Sequence, residues 1–416
     1  MHELIALPNG VRVVTERDSS LRSAALGIWV GTGSRHEKPG EGGAAHFIEH
    51  MLFKGTKSRT AAGIAMETDA IGGQINAFTT KECTCFYARV LDSHVEQVLD
   101  ILWDMIYHSN FDQKDVDNER GVILEEIGMY EDTPDDVCAE RLFAAVYKGS
   151  SLGRPILGKA STLRSFTGDF LRDYQERHYA PENTVVSLAG GFSPAVVEEI
   201  CARFGSLSPR KSPDYRPARY TPAVTVRRKS TEQNHLTLAF PGLSYLSKER
   251  FALQLLSSTL GGGMSSRLFQ EVRERRGLCY SVYSYGAGHA DTGLFAVYTA
   301  LNREMEPEAL STIRRLIEDF VAEGPTEEEL SRAREQSKAN VLMGLEGTQS
   351  RMSHMGRSLL FAGEILTPED IISAYDSVTK EQILSLSREI LRFDQASLSA
   401  VGKVGKREDY QAFLGR

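Results

Sequence analysis

The segment GGAAHFIEHMLFKGT carries His46 and His50 four residues apart, with Glu49 between them. On a helix that spacing puts both imidazoles on one face, one turn apart, where they can reach a single tetrahedral metal ion. Glu49 comes three residues after His46 and lies beside such a metal without having to bind it. The content is two ligands and a base, the order of H-E-x-x-H reversed. Taken alone, three fixed positions also arise as ordinary charges on a surface helix, so a metal centre needs a further ligand from elsewhere in the chain.

A catalytic zinc takes three protein ligands and keeps one position open for water. Residues 112–131 read as a helix in which Val116, Val122, Ile123, Ile127 and Tyr130 outline an apolar face. Glu119 and Glu126 fall inside or beside that face, whereas Glu125 points away. A buried carboxylate must be compensated by a cation or by hydrogen bonds, since an unpaired buried charge costs several kcal/mol or more. Seven residues separate the two glutamates, so they project about 20° apart. One can therefore ligate while the other supports a histidine.

The elements that would position these groups alternate between strand and helix. LPNGVRVVTERD has a hairpin turn at Asn9-Gly10, and AALGIWVGTGS is an apolar run ending in glycines. A helix is predicted from about Gly43 to Lys54, closed by Gly55, and another over TAAGIAMETDAIGG, stopped at Gly72. INAFTT and CTCFYARVL read as strands separated by Lys81-Glu82. A helix from Asp92 carries a Ser93/Glu96 capping box in its sequence. Cys83 and Cys85 share one strand face, where packing explains them better than metal binding, because no second cysteine pair supplies further ligands.

Near residue 205 the composition changes. Ser206 to Pro222 holds four prolines and many charges without periodicity, as a surface linker would. The expected organisation is residues 1–205 as a metal-binding domain, 206–229 as linker and 230–416 as a related domain without metal. The second half repeats the order of the first. YAPENTVVSLAGG and RFDQASLSAVGK close the two halves in the same way, a short polar stretch leading into a small-residue strand. An α+β unit used twice, each a mainly antiparallel sheet covered by helices, fits this pattern.

Bulk properties agree and exclude some functions. The chain has 416 residues, 41% hydrophobic and 25% charged, which suits two ordinary folded domains. Its net charge of −8, with no basic tract interleaved with aromatics, argues against nucleic acid as a partner. The sequence predicts neither a membrane span nor a targeting segment, and the odd count of five cysteines suits a reducing compartment. A cytoplasmic location is the expectation.

HFIEHMLFKGT followed by ERGVILEE resembles the pitrilysin/insulinase family of zinc peptidases, the inverzincins. The resemblance is to the half-length branch with bacterial processing-type peptidases and the catalytic subunit of mitochondrial processing peptidase. In that pattern the last ligand lies 76 residues beyond the second histidine, the separation of Glu126 from His50 here. The resemblance thus implies Zn2+ held by His46, His50 and Glu126, with Glu49 as general base and Glu119 as the supporting glutamate. GGQINAFTT resembles the edge strand on which such enzymes bind a peptide by strand addition, which points to Asn76, Ala77 and Phe78. GGGMSSRLFQEVRERRGLCYSV resembles the segment whose arginine and tyrosine reach the substrate, here Arg273 and Tyr280. Read without the resemblance, these two are one cation among several on a helix and the first residue of a strand.

What the resemblance implies is a zinc metalloendopeptidase acting on peptides or unfolded polypeptide. Its two-domain chains would pair as a clamshell homodimer in which Arg273 and Tyr280 act in trans. Two other readings stay open: a catalytic subunit that needs a separate noncatalytic partner, and a scaffold similar to the core subunits of respiratory complexes. The intact His46, Glu49, His50 and Glu126 set stands against the scaffold.

Overall fold

The computed structural model describes residues 2–416. The first half contains strands β1 (Glu3–Ala6), β2 (Arg12–Arg17), β3 (Ser23–Val30), β4 (Gln74–Thr79), β5 (Thr84–Leu91) and β6 (Thr184–Gly190). Its helices are α1 (Ala44–Met51), α2 (Ala61–Ala70), α3 (Val95–His108), α4 (Gln113–Asp132), α5 (Pro134–Val146), α6 (Ala160–Leu163), α7 (Gly168–His178) and α8 (Pro194–Gly205). The second half has β7 (Val224–Arg228), β8 (Asn234–Pro241), α9 (Arg250–Gly261), a π-helical segment (Phe269–Arg275), β9 (Ser281–Gly288) and β10 (Gly293–Leu301). It ends with α10 (Glu306–Glu323), α11 (Glu327–Gly344), α12 (Thr348–Phe361), α13 (Pro368–Ser377), α14 (Lys380–Ile390), β11 (Ser397–Gly402) and α15 (Arg407–Phe413).

The strands form two sheets, ordered β1-β2-β6-β3-β5-β4 and β7-β11-β8-β10-β9. Apart from β1 at its outer edge, the first sheet repeats the second strand for strand. In each, the closing strand inserts parallel to the opening one and antiparallel to the next, β6 between β2 and β3, β11 between β7 and β8. The remaining pairings are antiparallel. Both folds are α+β, as the sequence predicts.

Two compact units result, and they do not follow the chain in simple halves. One takes residues up to Ile127, Arg154–Arg216 and Gly344–Ile365; the other takes Gly128–Gly153, Pro217–Met343 and Leu366–Arg416. Helix α12 therefore belongs with the first sheet and α5 with the second, whereas the change of composition puts the division near residue 205. The 208–223 stretch has no helix or strand. In the first unit it is fastened by Arg210 to the Glu176 carbonyl and by Tyr215, whose ring lies 4.0 Å from the Arg35 guanidinium.

In the first unit the period-two alternation of the strands feeds two cores. Val13, Leu26, Ile28, Phe86 and Leu188 face α1, α3 and α8, while Val14, Ala25, Trp29, Cys85 and Val185 face Met352, Met355 and Leu359 of α12. With both faces covered, β3 and β6 read as nearly unbroken apolar runs. Gly356 is required where α12 crosses Trp29, because a Cβ there would lie 2.1 Å from the indole Nε1. In the second unit Leu255, Leu256, Ile313, Ile317 and Phe320 pack on Leu238, Phe240 and Phe295, and Leu142 and Val146 of α5 cover the opposite face.

Several local expectations change. The capping box at Ser93/Glu96 does not form; a 3-10 turn over Asp92–His94 precedes α3, which starts without a side-chain cap. On α4 the buried positions are Val116, Glu119 and Ile123, while Val122 and Tyr130 are exposed. All five cysteines are free, and Cys83 and Cys85 are buried in the core beneath α12. Among the described residues no helix is long and apolar enough to cross a membrane.

Candidate metal centre

Helix α1 exists because Ala44, Ala45, Phe47, Ile48 and Met51 bury one side of it. Its start is fixed by two devices. Gly43 takes φ +97°, where a Cβ would also strike the Leu157 carbonyl at 2.7 Å. Glu37, from the loop after β3, accepts the amides of Gly43 at 2.9 Å and Ala45 at 3.0 Å and so satisfies donors the helix cannot satisfy itself. Burial pushes its carboxyl up to about 8 against these two hydrogen bonds.

One turn apart on α1, the rings of His46 and His50 have centroids 4.5 Å apart. Helix α4 lies alongside and brings Glu126 Oε2 to 3.7 Å from both His46 Nε2 and His50 Nε2. One donor atom from each of the three side chains fits within a 4.8 Å cluster, and no other cluster of this kind occurs among the described residues. Glu119, two turns before Glu126, accepts His50 Nδ1–H at 2.8 Å and holds the Lys54 ammonium at 2.6 Å. A carboxylate can only accept, so the proton sits on Nδ1 and leaves Nε2 free to donate its lone pair.

These residues fit a zinc ion. Among the described residues Glu126 Oε2 is buried without a hydrogen-bond partner, equidistant from two imidazole nitrogens. Donors about 2.0–2.2 Å from a tetrahedral zinc stand roughly 3.3–3.6 Å apart. The observed 3.7 Å therefore suits a shared cation better than direct hydrogen bonds. Burial, helped by the neighbouring His50, depresses His46 to about 3 and keeps that ring neutral, as a ligand must be. Burial raises Glu126, with His50 opposing and the Glu119 charge adding to the rise. For Glu119 burial acts upward too, but the hydrogen bonds from His50 and Lys54 outweigh it and the carboxyl is lowered.

Glu49 faces the same site. Burial raises its carboxyl, and the Thr79 hydroxyl, which donates to Oε2 at 2.5 Å, pulls the other way. Thr79 ends β4, the edge strand of the first sheet. Asn76, Ala77 and Phe78 precede it in register with Tyr87, Phe86 and Cys85 of β5. Asn76 is exposed and Phe78 meets Trp29 edge-on at 5.7 Å.

Arg273 and Tyr280 lie in the other unit and are neighbours there. Arg273 belongs to the π-helical segment, its guanidinium 4.7 Å from the Phe269 ring and 5.2 Å from that of Tyr280, which is 70% exposed. Sequence reasoning missed two groups at the metal centre. Lys54 follows His50 by four residues, a spacing that could have flagged it, although α1 ends at Met51 rather than running to Lys54 as predicted; Thr79 shares the alternation of Ile75 and Ala77, which gave a weaker signal.

Residues 12–160 match the family model described as Insulinase (Peptidase family M16), and residues 165–337 match Peptidase M16 inactive domain. The chain is 43% identical over 390 residues to the "Uncharacterized zinc protease YmxG" of Bacillus subtilis, covering 93% of this chain and 95% of that protein. A similarly named zinc protease of Streptomyces coelicolor is 41% identical, with 97% and 90% covered. Among solved structures, a peptidase M16 inactive domain from Pseudomonas fluorescens superposes with a TM-score of 0.90 at 21% identity, covering 97% of this chain and 98% of that one. A protease from Helicobacter pylori gives 0.89 at 20%, with 97% and 99% covered. At these identities the structural likeness speaks for the fold.

Proposed function

Because the chain belongs to the insulinase family of peptidases, family M16, we propose that it is a zinc-dependent endopeptidase that hydrolyses peptides or unfolded segments of polypeptide. His46, His50 and Glu126 would hold the metal, and Glu49 would act as general base. The observation that carries this reading is the partnerless Glu126 Oε2, 3.7 Å from two imidazole nitrogens. Zinc bound by such a set lowers the pKa of a water toward ~7 and polarises a carbonyl.

The chain's own groups do the rest. With Oε2 of Glu49 engaged by Thr79, Oε1 is the atom that takes a proton from the attacking water. As the C–N bond breaks, the same oxygen returns that proton to the leaving amine nitrogen. Glu119 holds the His50 ring in the Nδ1–H tautomer throughout. The substrate would add as a strand to β4 at Asn76, Ala77 and Phe78, which fixes the peptide backbone before any chemistry. In a symmetric homodimer, Arg273 and Tyr280 of one copy would donate to a carbonyl of the peptide bound by the other. The five free cysteines suit a cytoplasmic setting.

The test is zinc stoichiometry and peptide-library cleavage measured on the same gel-filtered sample. One zinc per chain with chelator-sensitive cleavage is the expected result; a metal-free chain that still cleaves, or a zinc-loaded one that cleaves nothing, would refute the proposal.

A further inference from the structure

We propose that Thr79 is a positioning residue that sets the orientation of the Glu49 carboxylate and ties it to the edge strand β4. The inference rests on the reading of Glu49 as the base, and it concerns how that base is held.

Alternation along β4 turns Ile75, Ala77 and Thr79 toward the face that α1 covers, and Asn76 and Phe78 to the other. Thr79 is thereby presented to the helix that carries Glu49. Its hydroxyl has one proton and two candidate acceptors, Glu49 Oε2 at 2.5 Å and the Thr84 hydroxyl at 3.5 Å. The shorter contact has the length of a hydroxyl-to-carboxylate bond, so the proton is committed to Glu49. Thr84 is fully buried and donates its own proton to the Thr32 carbonyl at 2.9 Å, which anchors the far side of the arrangement.

The consequence is a carboxylate with distinguishable oxygens. Oε2 accepts from Thr79 and Oε1 is left for proton transfer. A threonine in a strand is stiff at χ1, so the hydroxyl is aimed before any ligand arrives. Among the described residues β4 pairs only with β5 and forms the edge of its sheet. A peptide adding to that edge orders the strand whose last residue holds the base, so docking and base alignment act on one rigid element.

The test compares wild type with Thr79→Val, which keeps the shape and removes the hydroxyl, and Thr79→Ser, which restores it. The expected result is a kcat about 10- to 100-fold lower in T79V, the scale of a hydrogen bond to a charged group, with KM and zinc content unchanged. T79S should recover most of the loss. A T79V variant with kcat within twofold of wild type, a loss confined to KM, or a T79S variant as impaired as T79V would overturn the proposal. A second readout does not depend on turnover. In crystals of zinc-free T79V the Glu49 carboxylate should leave its wild-type orientation, and an unmoved carboxylate overturns the proposal too. If wild type cleaves nothing yet Glu49 turns in T79V, the positioning role stands and the peptidase reading fails.

Discussion

Replacing Glu119 by glutamine probes the proposed metal centre without touching a proposed ligand. Glu119 is almost fully buried and its two oxygens are divided between His50 Nδ1 at 2.8 Å and Lys54 Nζ at 2.6 Å. Both partners are donors, so both need an acceptor. A glutamine offers one carbonyl oxygen and one NH2 group. Whichever way it turns, it sets a donor against either the imidazole N–H or the ammonium. If the carbonyl serves His50, the ammonium loses its counter-ion; if it serves Lys54, His50 loses the acceptor that fixes its tautomer. A hydrogen bond to a charged group is worth about 1.5–3 kcal/mol, so zinc affinity should fall about 10- to 100-fold in E119Q. Competition against a chelator of known affinity measures this directly. Because the ammonium competes with His50 for the single carbonyl oxygen, Lys54→Met in the same chain leaves that oxygen to the imidazole N–H and should return part of the loss. A zinc affinity within twofold of wild type in E119Q, or a double variant weaker than E119Q alone, would refute the reasoning.

Glu49→Gln should bind zinc and peptide with unchanged affinity while turnover drops by about 100- to 10,000-fold, checked by steady-state kinetics beside metal analysis; near-normal hydrolysis would show that another group is the base. Mixing inactive Glu49→Gln chains with inactive Tyr280→Phe chains should regain activity if sites are shared across a homodimer, and no recovery despite demonstrated subunit exchange would exclude the trans arrangement. For Glu37, whose carboxyl is raised from 4.5 to about 8 by burial, the folded state binds the proton more tightly than the unfolded chain. That contribution to stability is fully present below about 4.5 and is lost as pH rises toward about 8, so Tm should fall across this window and the slope should flatten in Glu37→Gln. An unchanged slope in the variant would mean that other groups set it.

Much of the candidate site was legible because the side chains that cluster there sit on two helices with internal spacing that a sequence exposes. His46 and His50 at four residues, and Glu119 and Glu126 at seven, are consequences of the helical repeat. The exposed side of α4 was misread for a related reason. Val122 and Tyr130 obey helical periodicity, but apolar side chains also occupy open surface, and periodicity cannot tell a core from a surface left free. Thr79 and Lys54 were missed since each acts through one atom on a partner brought near by tertiary packing. The exchange of α5 and α12 was hidden for the same cause. Their apolar faces are visible in sequence, but which sheet each one covers depends on chain crossings that leave no local mark.

The duplicated sheets allow the candidate site to be compared with the equivalent place in the other unit. In the first unit α1 follows β3 and packs on the edge strand β4; in the second, α9 follows β8 and packs on β9. The two helices hold equivalent places in equivalent topologies. α1 there displays His46, Glu49 and His50, whereas α9 reads RFALQLLSSTLG and contains no group that ligates a divalent metal well. Its side chains instead complete the apolar core through Leu255, Leu256 and Leu260. The sequence difference at this one helix gives the first unit a candidate cation site that α9 does not reproduce. What the second unit keeps at the matching edge is Arg273 and Tyr280, close before β9 and held together by a guanidinium lying against the phenol ring. On the proposed reading, the same scaffold presents candidate ligands beside one edge strand and candidate hydrogen-bond donors beside the other, the two kinds of group that would serve peptide hydrolysis.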